Sequence, residues 1–177
     1  MKILIIPTLN EKKNITTLFR KIKRVDQKLN ILFVDDNSTD GTRDEILNLK
    51  KNNKSVYHIF RPKKLGIGSA HKDGLKYAYK KKYKTILTMD ADGTHNPKYI
   101  KNLLKFSSKY DLISTNRFKQ KNSLIEWPVQ RRFLTKVRYY LINFLLNIDY
   151  DSSGAYRCYN AKNIKLRDIL EAKNNGY

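Results

Sequence analysis

The chain has 177 residues, with 37 Lys and Arg against 16 Asp and Glu, a net charge of +21, and one cysteine. That length suits a single domain with a real core. The lone Cys158 excludes an internal disulfide and a thiolate metal cluster, and no run of eighteen apolar residues codes a membrane span. The amino terminus carries no cleavable-leader pattern, so a reducing, cytosolic setting is expected.

Residues 2–8 (KILIIPT) read as a first strand, ending in the turn Pro7-Thr8-Leu9-Asn10-Glu11. A helix is expected over 10–24, with Ile15, Leu18, Phe19 and Ile22 at helical spacing and Asn10 as its cap. The apolar run 31–34 is a second strand, leading into Asp35-Asp36-Asn37-Ser38. Thr42 and Glu45 have capping-box spacing ahead of Ile46, Leu47 and Leu49. A third strand over 56–60 leads to the loop Gly66-Ile67-Gly68 and a helix over 69–79. The run 83–87 is a fourth, buried strand.

That fourth strand runs into Asp90-Ala91-Asp92-Gly93-Thr94-His95-Asn96-Pro97. If strand geometry persists, a spacing of two puts both aspartates on one side. Like charges held close repel, and a cation relieves them. A hard divalent ion takes oxygen ligands and completes its shell with substrate phosphate. Asn96 and Pro97 then read as the cap and first turn of a helix carrying Ile100, Leu103, Leu104 and Phe106. His95 reads as a loop or cap residue. A fifth strand is expected over 111–116, and Trp127-Pro128 leads to a long helix over about 131–146, rich in apolar residues interspersed with Arg131, Arg132, Lys136 and Arg138. Tyr139 and Tyr140 on it read as packing. Alternating strands and helices imply an α/β fold with a mostly parallel sheet. In such sheets ligands bind at the carboxyl ends of strands, so Glu11, Asp36, Asp90 and Asp92 converge on one crevice.

The residues match a known family. The sequence resembles the family 2 glycosyltransferases of GT-A fold, and within them the dolichol-phosphate mannosyltransferases. The matching pieces are Pro7-Thr8-x-Asn10-Glu11, Val34-Asp35-Asp36-x-Ser38-x-Asp40-Gly41-Thr42, Lys64-x-Gly66-x-Gly68-x-Ala70, Met89-Asp90-Ala91-Asp92-x-x-His95-x-Pro97, Asn116-Arg117, Trp127-x-x-x-Arg131 and Ser153-Gly154-x-x-Arg157-x-Tyr159. They stand in the family's order along nearly the whole chain. The resemblance implies a single GT-A domain over 1–177 that transfers mannose from GDP-mannose to a dolichyl or polyprenyl phosphate with inversion. It implies that Pro7, Leu9, Glu11, Val34 and Asp36 line the nucleobase and ribose pocket. Asp90 and Ala91 would contact the nucleotide-sugar, and Asp92, assisted by Thr94, would bind Mg²⁺ or Mn²⁺. Arg117 and Arg131 would hold phosphate, with Arg117 also reaching the donor and Thr135 adding a hydroxyl. Asp92, Arg117 and Arg131 are thus the expected catalytic set.

Three departures from the family stand out. Leu9 replaces the usual tyrosine, Thr94 replaces a longer amide or a serine, and the chain ends near the Gly176-Tyr177 pair where the family continues with further basic residues. A chain short at its carboxyl end raises the alternatives of an inactive homologue or one completed by a membrane-anchoring partner subunit.

A phosphate acceptor is already anionic and needs no general base. A glycan acceptor with another donor, of UDP-glucose type, would demand one, and Asp149 and Asp151 are the candidates. The charge would draw the protein to anionic lipid, with the long helix lying in the interface and the protein peripheral to the cytoplasmic membrane face. Nucleic acid is not expected: no zinc pattern, RNA-recognition aromatic motif or heptad repeat is present.

Overall fold

A computed structural model describes residues 1–119, 128–147, 151 and 154–171. Two compact units appear, one of residues 1–113 and 156–177, the other of residues 114–155. The elements in chain order are β1 (Lys2–Thr8), α1 (Lys12–Val25), β2 (Asn30–Asp35), α2 (Thr42–Asn52), β3 (Val56–Phe60), α3 (Ile67–Lys80), β4 (Thr85–Thr88), a 3₁₀ turn (Pro97–Tyr99), α4 (Ile100–Phe106), β5 (Leu112–Ser114), α5 (Val129–Leu146), β6 (Arg157–Asn160) and α6 (Leu166–Leu170).

The sheet order is β3-β2-β1-β4-β6-β5. β1 pairs in parallel with β2 and β4, and β2 with β3. β6 runs antiparallel to β4, with Thr88 opposite Arg157. Sequence reading gives no strand at β6, because Arg-Cys-Tyr-Asn has neither an apolar run nor alternation; only the vacant edge of β4 makes it one.

The central strands are apolar on both faces, as a sheet covered on both sides requires. Leu4, Ile6, Ile31 and Phe33 face α1, whose Ile15, Leu18, Phe19 and Ile22 are buried at helical spacing. Ile3, Ile5, Leu32 and Val34 face α3 through Ala70, Leu75 and Ala78. Each such aliphatic side chain contributes roughly 1.5–3 kcal/mol on burial.

Gly74 sets how closely α3 lies on the sheet: a Cβ built there would fall inside van der Waals contact with Ile5 Cγ2, with Val34 Cγ2 at 3.3 Å. Overpacking of this kind costs about 1–3 kcal/mol. Gly74→Ala is therefore expected to lower the unfolding free energy by that amount, read as a lower midpoint of chemical unfolding, despite alanine's better helix propensity. An unchanged or raised midpoint would show that α3 can lift off without cost.

Two expected caps are corrected. Asn10 does not cap α1: it sits at φ 57°, and its Oδ1 accepts from Thr39 N, while Glu11 holds the N-cap position. Thr42 and Glu45 form no capping box: Gly41 at φ 92° is the N-cap of α2, Thr42 Oγ1 accepts from Glu11 N, and Glu45 Oε2 accepts from Thr16 Oγ1. Both side chains are claimed by the neighbouring loop and helix, which local spacing does not reveal. Asn96 does cap its turn, accepting from Lys98 N at 3.0 Å.

In the second unit, α5 has no buried residue. Phe133, Leu134, Tyr140, Phe144, Leu145 and Leu146 are each about two-thirds exposed or more. Tyr139 stacks on Phe118 with ring centroids 3.9 Å apart. Among the described residues no helix is long and apolar enough to cross a membrane. Trp127, Asp149, Ser152 and Ser153 lie outside the described residues.

Candidate active site at the carboxyl edge of the sheet

The parallel register sends the chain out of β1, β2 and β4 on one edge: Thr8 lies opposite Asp35, and Ile5 opposite Thr88. The first two exits are bound together. Asp36 N donates to Thr8 O at 2.9 Å, Asn10 N to Ser38 Oγ at 2.8 Å, and Lys12 N to Asp40 Oδ2 at 3.0 Å. Glu11 and Asp36 thereby sit on adjoining loops, as a crevice there requires. Glu11 accepts from Asn14 Nδ2 on the first turn of α1.

Asp35 and Asp36 have different surroundings. Asp35 is fully buried, and burial alone would raise its carboxyl. Hydrogen bonds from Ser38, Arg43 and Thr8 outweigh that and hold it below the usual carboxylate range. Asp36 accepts from Arg61 Nη1 and from the amides of Leu65 and Gly66, all at 2.8–2.9 Å. Its carboxylate thus orders the loop between β3 and α3. Arg61 is 4% exposed; its Nε lies 3.3 Å from Asp73, and its Nη2 donates to Ser69. The sequence gives no sign of this role for Arg61, since its partners lie 5 to 25 residues away.

Of the other residues expected at the donor pocket, Pro7 and Ala91 are buried and Leu9 is partly exposed. Val34 is fully buried in the core between β1 and α3, so only its backbone is available to a ligand.

Strand alternation does not place Asp90 and Asp92, because β4 stops at Thr88. Each is set by its own turn instead. Asp90 N donates to His95 Nδ1 at 3.0 Å, and the His95 ring stacks on Tyr156 with centroids 5.1 Å apart. His95 therefore closes the loop like a lid pin, a larger task than a cap. Gly93 at φ 82° permits the turn, and Asp92 Oδ1 accepts from both Thr94 N and Thr94 Oγ1, at 3.0 and 2.7 Å. Thr94 orients the exposed Asp92 carboxylate. A cavity of about 180 Å³ lies between α1 (Asn14, Thr17, Lys21) and this loop (Ala91, Gly93, His95). It takes a fragment of a ligand, since whole-ligand pockets run to roughly 300–1,000 Å³.

Among the described residues no group of three or more His, Cys, Asp or Glu could hold a metal. What Asp92 and Thr94 offer is hard oxygen on an open loop. That donor set fits an Mg²⁺- or Mn²⁺-type ion bound through one carboxylate and substrate phosphate, and not a fully enclosed structural ion.

The second unit holds the other expected residues. Arg117 forms a two-point bond with Asp151, Nε to Oδ2 at 2.7 Å and Nη2 to Oδ1 at 3.1 Å. Asp151 is 1% exposed. Arg131 and Thr135 lie one turn apart at the start of α5, Arg131 exposed and Thr135 half-buried.

Comparison with known proteins agrees with this layout. A family model described as glycosyl transferase family 2 matches residues 3–169. A polyprenol monophosphomannose synthase of Mycolicibacterium smegmatis is 30% identical over 180 residues, spanning 99% of this chain and 67% of the relative. An undecaprenyl-phosphate mannosyltransferase of Micrococcus luteus is 28% identical over 174 residues, spanning 98% of this chain and 72% of that protein. Among solved structures, the mannosyltransferase PcManGT from Pyrobaculum calidifontis, in complex with GDP-Man and Mn²⁺, superposes with a TM-score of 0.61 at 17% identity, over 91% of this chain and 44% of its own. At that identity the likeness establishes the fold.

Proposed function

Because the chain belongs to glycosyl transferase family 2, we propose that it moves mannose from GDP-mannose to the phosphate of a polyprenyl or dolichyl lipid. The observation carrying this reading is the carboxyl edge of the sheet, where loops after three neighbouring parallel strands present Glu11, Asp36, Asp90 and Asp92. The two mannosyltransferase relatives support the choice of sugar and lipid class.

Glu11, Pro7, Leu9 and the backbone of Val34 are assigned to the base and ribose, with Asp36 holding the neighbouring loop in place. Asp90 and Ala91 face the diphosphate-sugar. Asp92, oriented by Thr94, holds the divalent metal, which when bound neutralises charge developing on the leaving diphosphate. Arg117 and Arg131 are assigned to phosphate oxygens, to which a guanidinium donates in pairs. Asp151 fixes the plane of the Arg117 fork. Thr135 adds a hydroxyl beside Arg131. The acceptor phosphate attacks as an anion, so no group needs to remove a proton from it.

A hydroxyl acceptor is disfavoured by a specific contact. Asp151, one of the two carboxylates available as a base, is bound at both oxygens by Arg117. Both oxygens that would take a proton are thereby occupied by guanidinium N–H groups.

The exposed apolar residues of α5, with Arg131, Arg132, Lys136 and Arg138 among them, are assigned to the surface of an anionic membrane, where the lipid acceptor resides. The chain spans only part of its relatives, and an anchoring partner subunit is a compatible arrangement. One experiment tests both parts: transfer of labelled mannose from GDP-mannose, with Mn²⁺, to polyprenyl phosphate in anionic and in neutral vesicles. Transfer is expected in both, several-fold faster on anionic vesicles at low salt. Product from UDP-glucose in its place would move the reading to the other donor. Transfer indifferent to lipid charge would remove the membrane assignment.

A further inference from the structure

The unit that holds the sheet carries its own cationic strip, on α4. From Pro97 to Tyr110 the chain has four lysines, no acidic residue and no arginine. The 3₁₀ turn and α4 run into a last turn in which Tyr110 N donates to Phe106 O at 3.2 Å, so helical geometry persists to Tyr110. Lys98, Lys101, Lys105 and Lys109 then share roughly 80° of the helix circumference, with Tyr99, Phe106 and Tyr110 on the adjoining strip. Ile100 and Leu103, on the remaining side, are buried in the core.

All four lysines are exposed, and among the described residues none is paired with a carboxylate. Asp111, the next residue, accepts from Asn163 Nδ2 at 2.6 Å. The ammonium groups stand beside rings: Lys98 Nζ is 5.0 Å from the Tyr99 centroid, Lys105 Nζ 5.7 Å from that of Phe106, and Lys109 Nζ 5.5 Å from that of Tyr110. At this end of the strip Phe106 is 43% exposed, Tyr110 50% and Leu112 47%. Cations bordered by exposed apolar and aromatic groups make up the interfacial type of helix, in which rings sit at headgroup depth. Nucleic acid is the poorer complement, since its recognition favours the planar arginine fork, and this strip has point charges only.

We propose that this strip docks on an anionic phospholipid bilayer, with the four lysines at headgroup phosphates and Phe106, Tyr110 and Leu112 entering the headgroup layer. The proposal deepens the membrane reading given above, and it stands on α4, an element of the other unit from α5. It accounts for four like charges gathered on one helix face without a protein counter-charge. An anionic surface supplies that counter-charge, and it does so within a Debye length of the lipid.

The test is co-sedimentation with phosphatidylcholine vesicles, with and without phosphatidylglycerol, at low and high salt, with duplex DNA titrated in parallel and thermal unfolding of each variant. Wild type is compared with K98Q/K101Q/K105Q/K109Q and with F106S/Y110S. A charge-matched control, K76Q/K80Q/K81Q/K82Q, lies on α3 and the turn after it, across the sheet from α4. A lysine at an anionic surface is worth about fivefold in affinity, so the α4 lysine variant is expected to bind phosphatidylglycerol vesicles roughly a hundredfold more weakly, and the control to stay within about fivefold. F106S/Y110S is expected to lose roughly tenfold with its salt dependence unchanged, because apolar burial is not screened. Equal losses in the α4 lysine variant and the control would reduce the attraction to net charge and overturn the proposal. Wild-type affinity in the α4 lysine variant would overturn it and leave the assignment of α5 intact, and wild-type affinity in F106S/Y110S would deny the rings a place in the headgroup layer. Loss of DNA binding alone in the α4 lysine variant would assign the strip to nucleic acid and overturn it too. Wild type that binds no anionic vesicle removes both membrane readings. Should the fourfold variant fail to fold, K101Q/K105Q carries the same comparison, at roughly twenty-fivefold.

Discussion

Asp92→Ala is expected to reduce mannose transfer by at least 10²–10³-fold, about 2.7–4 kcal/mol of transition-state stabilisation if the carboxylate anchors charge opposite the leaving diphosphate. The side chain is exposed and makes its bonds to Thr94 within its own turn. Its removal should therefore leave the unfolding temperature nearly unchanged, separating a chemical from a structural effect. Two further readouts sharpen the test. Chelation of divalent ions should bring wild type down to the variant's rate, and added Mn²⁺ should restore wild type only. Thr94→Val removes the hydroxyl that orients the carboxylate and should give a smaller loss. Near-normal turnover of D92A with metal present would sink the metal assignment.

The second large effect is on stability. Arg61→Ala is expected to cost about 3–5 kcal/mol, because breaking a buried ion pair from one side leaves the other charge uncompensated. Asp36 would retain the amides of Leu65 and Gly66, and Asp73 would keep Lys76 but lose Arg61. For a chain of this size that is a fall of roughly 6–20 °C in unfolding temperature. Set against total stabilities of about 5–15 kcal/mol, it is a large fraction. Arg61→Lys should recover only part of the loss, since an ammonium cannot span Asp36, Asp73 and Ser69 as a planar fork does. Because Arg61 orders the β3–α3 loop, GDP affinity should fall along with stability in R61A. An unfolding temperature within a degree or two of wild type would show that Asp36 is satisfied without the guanidinium.

These two predictions differ in how much of their basis could be read in advance. The Asp90–Asp92 motif is local, and its chemistry follows from residue type and spacing, although strand alternation does not set its geometry, because β4 ends at Thr88. Arg61 is different. It belongs to no recognisable spacing, and it acquires its role from residues on other elements and loops. The same limit explains the missed β6 and the two misassigned caps. Asn10 and Thr42 carry the right side chains for capping, but hydrogen-bond partners some thirty residues away claim them.

Amino-acid order alone determined the strand–helix alternation, the apolar faces of β1, β2 and α1, and the identity of the carboxylates at the strand exits. Those features arise from short-range periodicity and from residue chemistry that travels with the chain. Tertiary structure alone decided which carboxylate orders a loop and which faces outward, and which strand closes the edge of β4. Those outcomes depend on pairings between segments far apart in sequence, fixed by how α3 and the loops pack on the sheet.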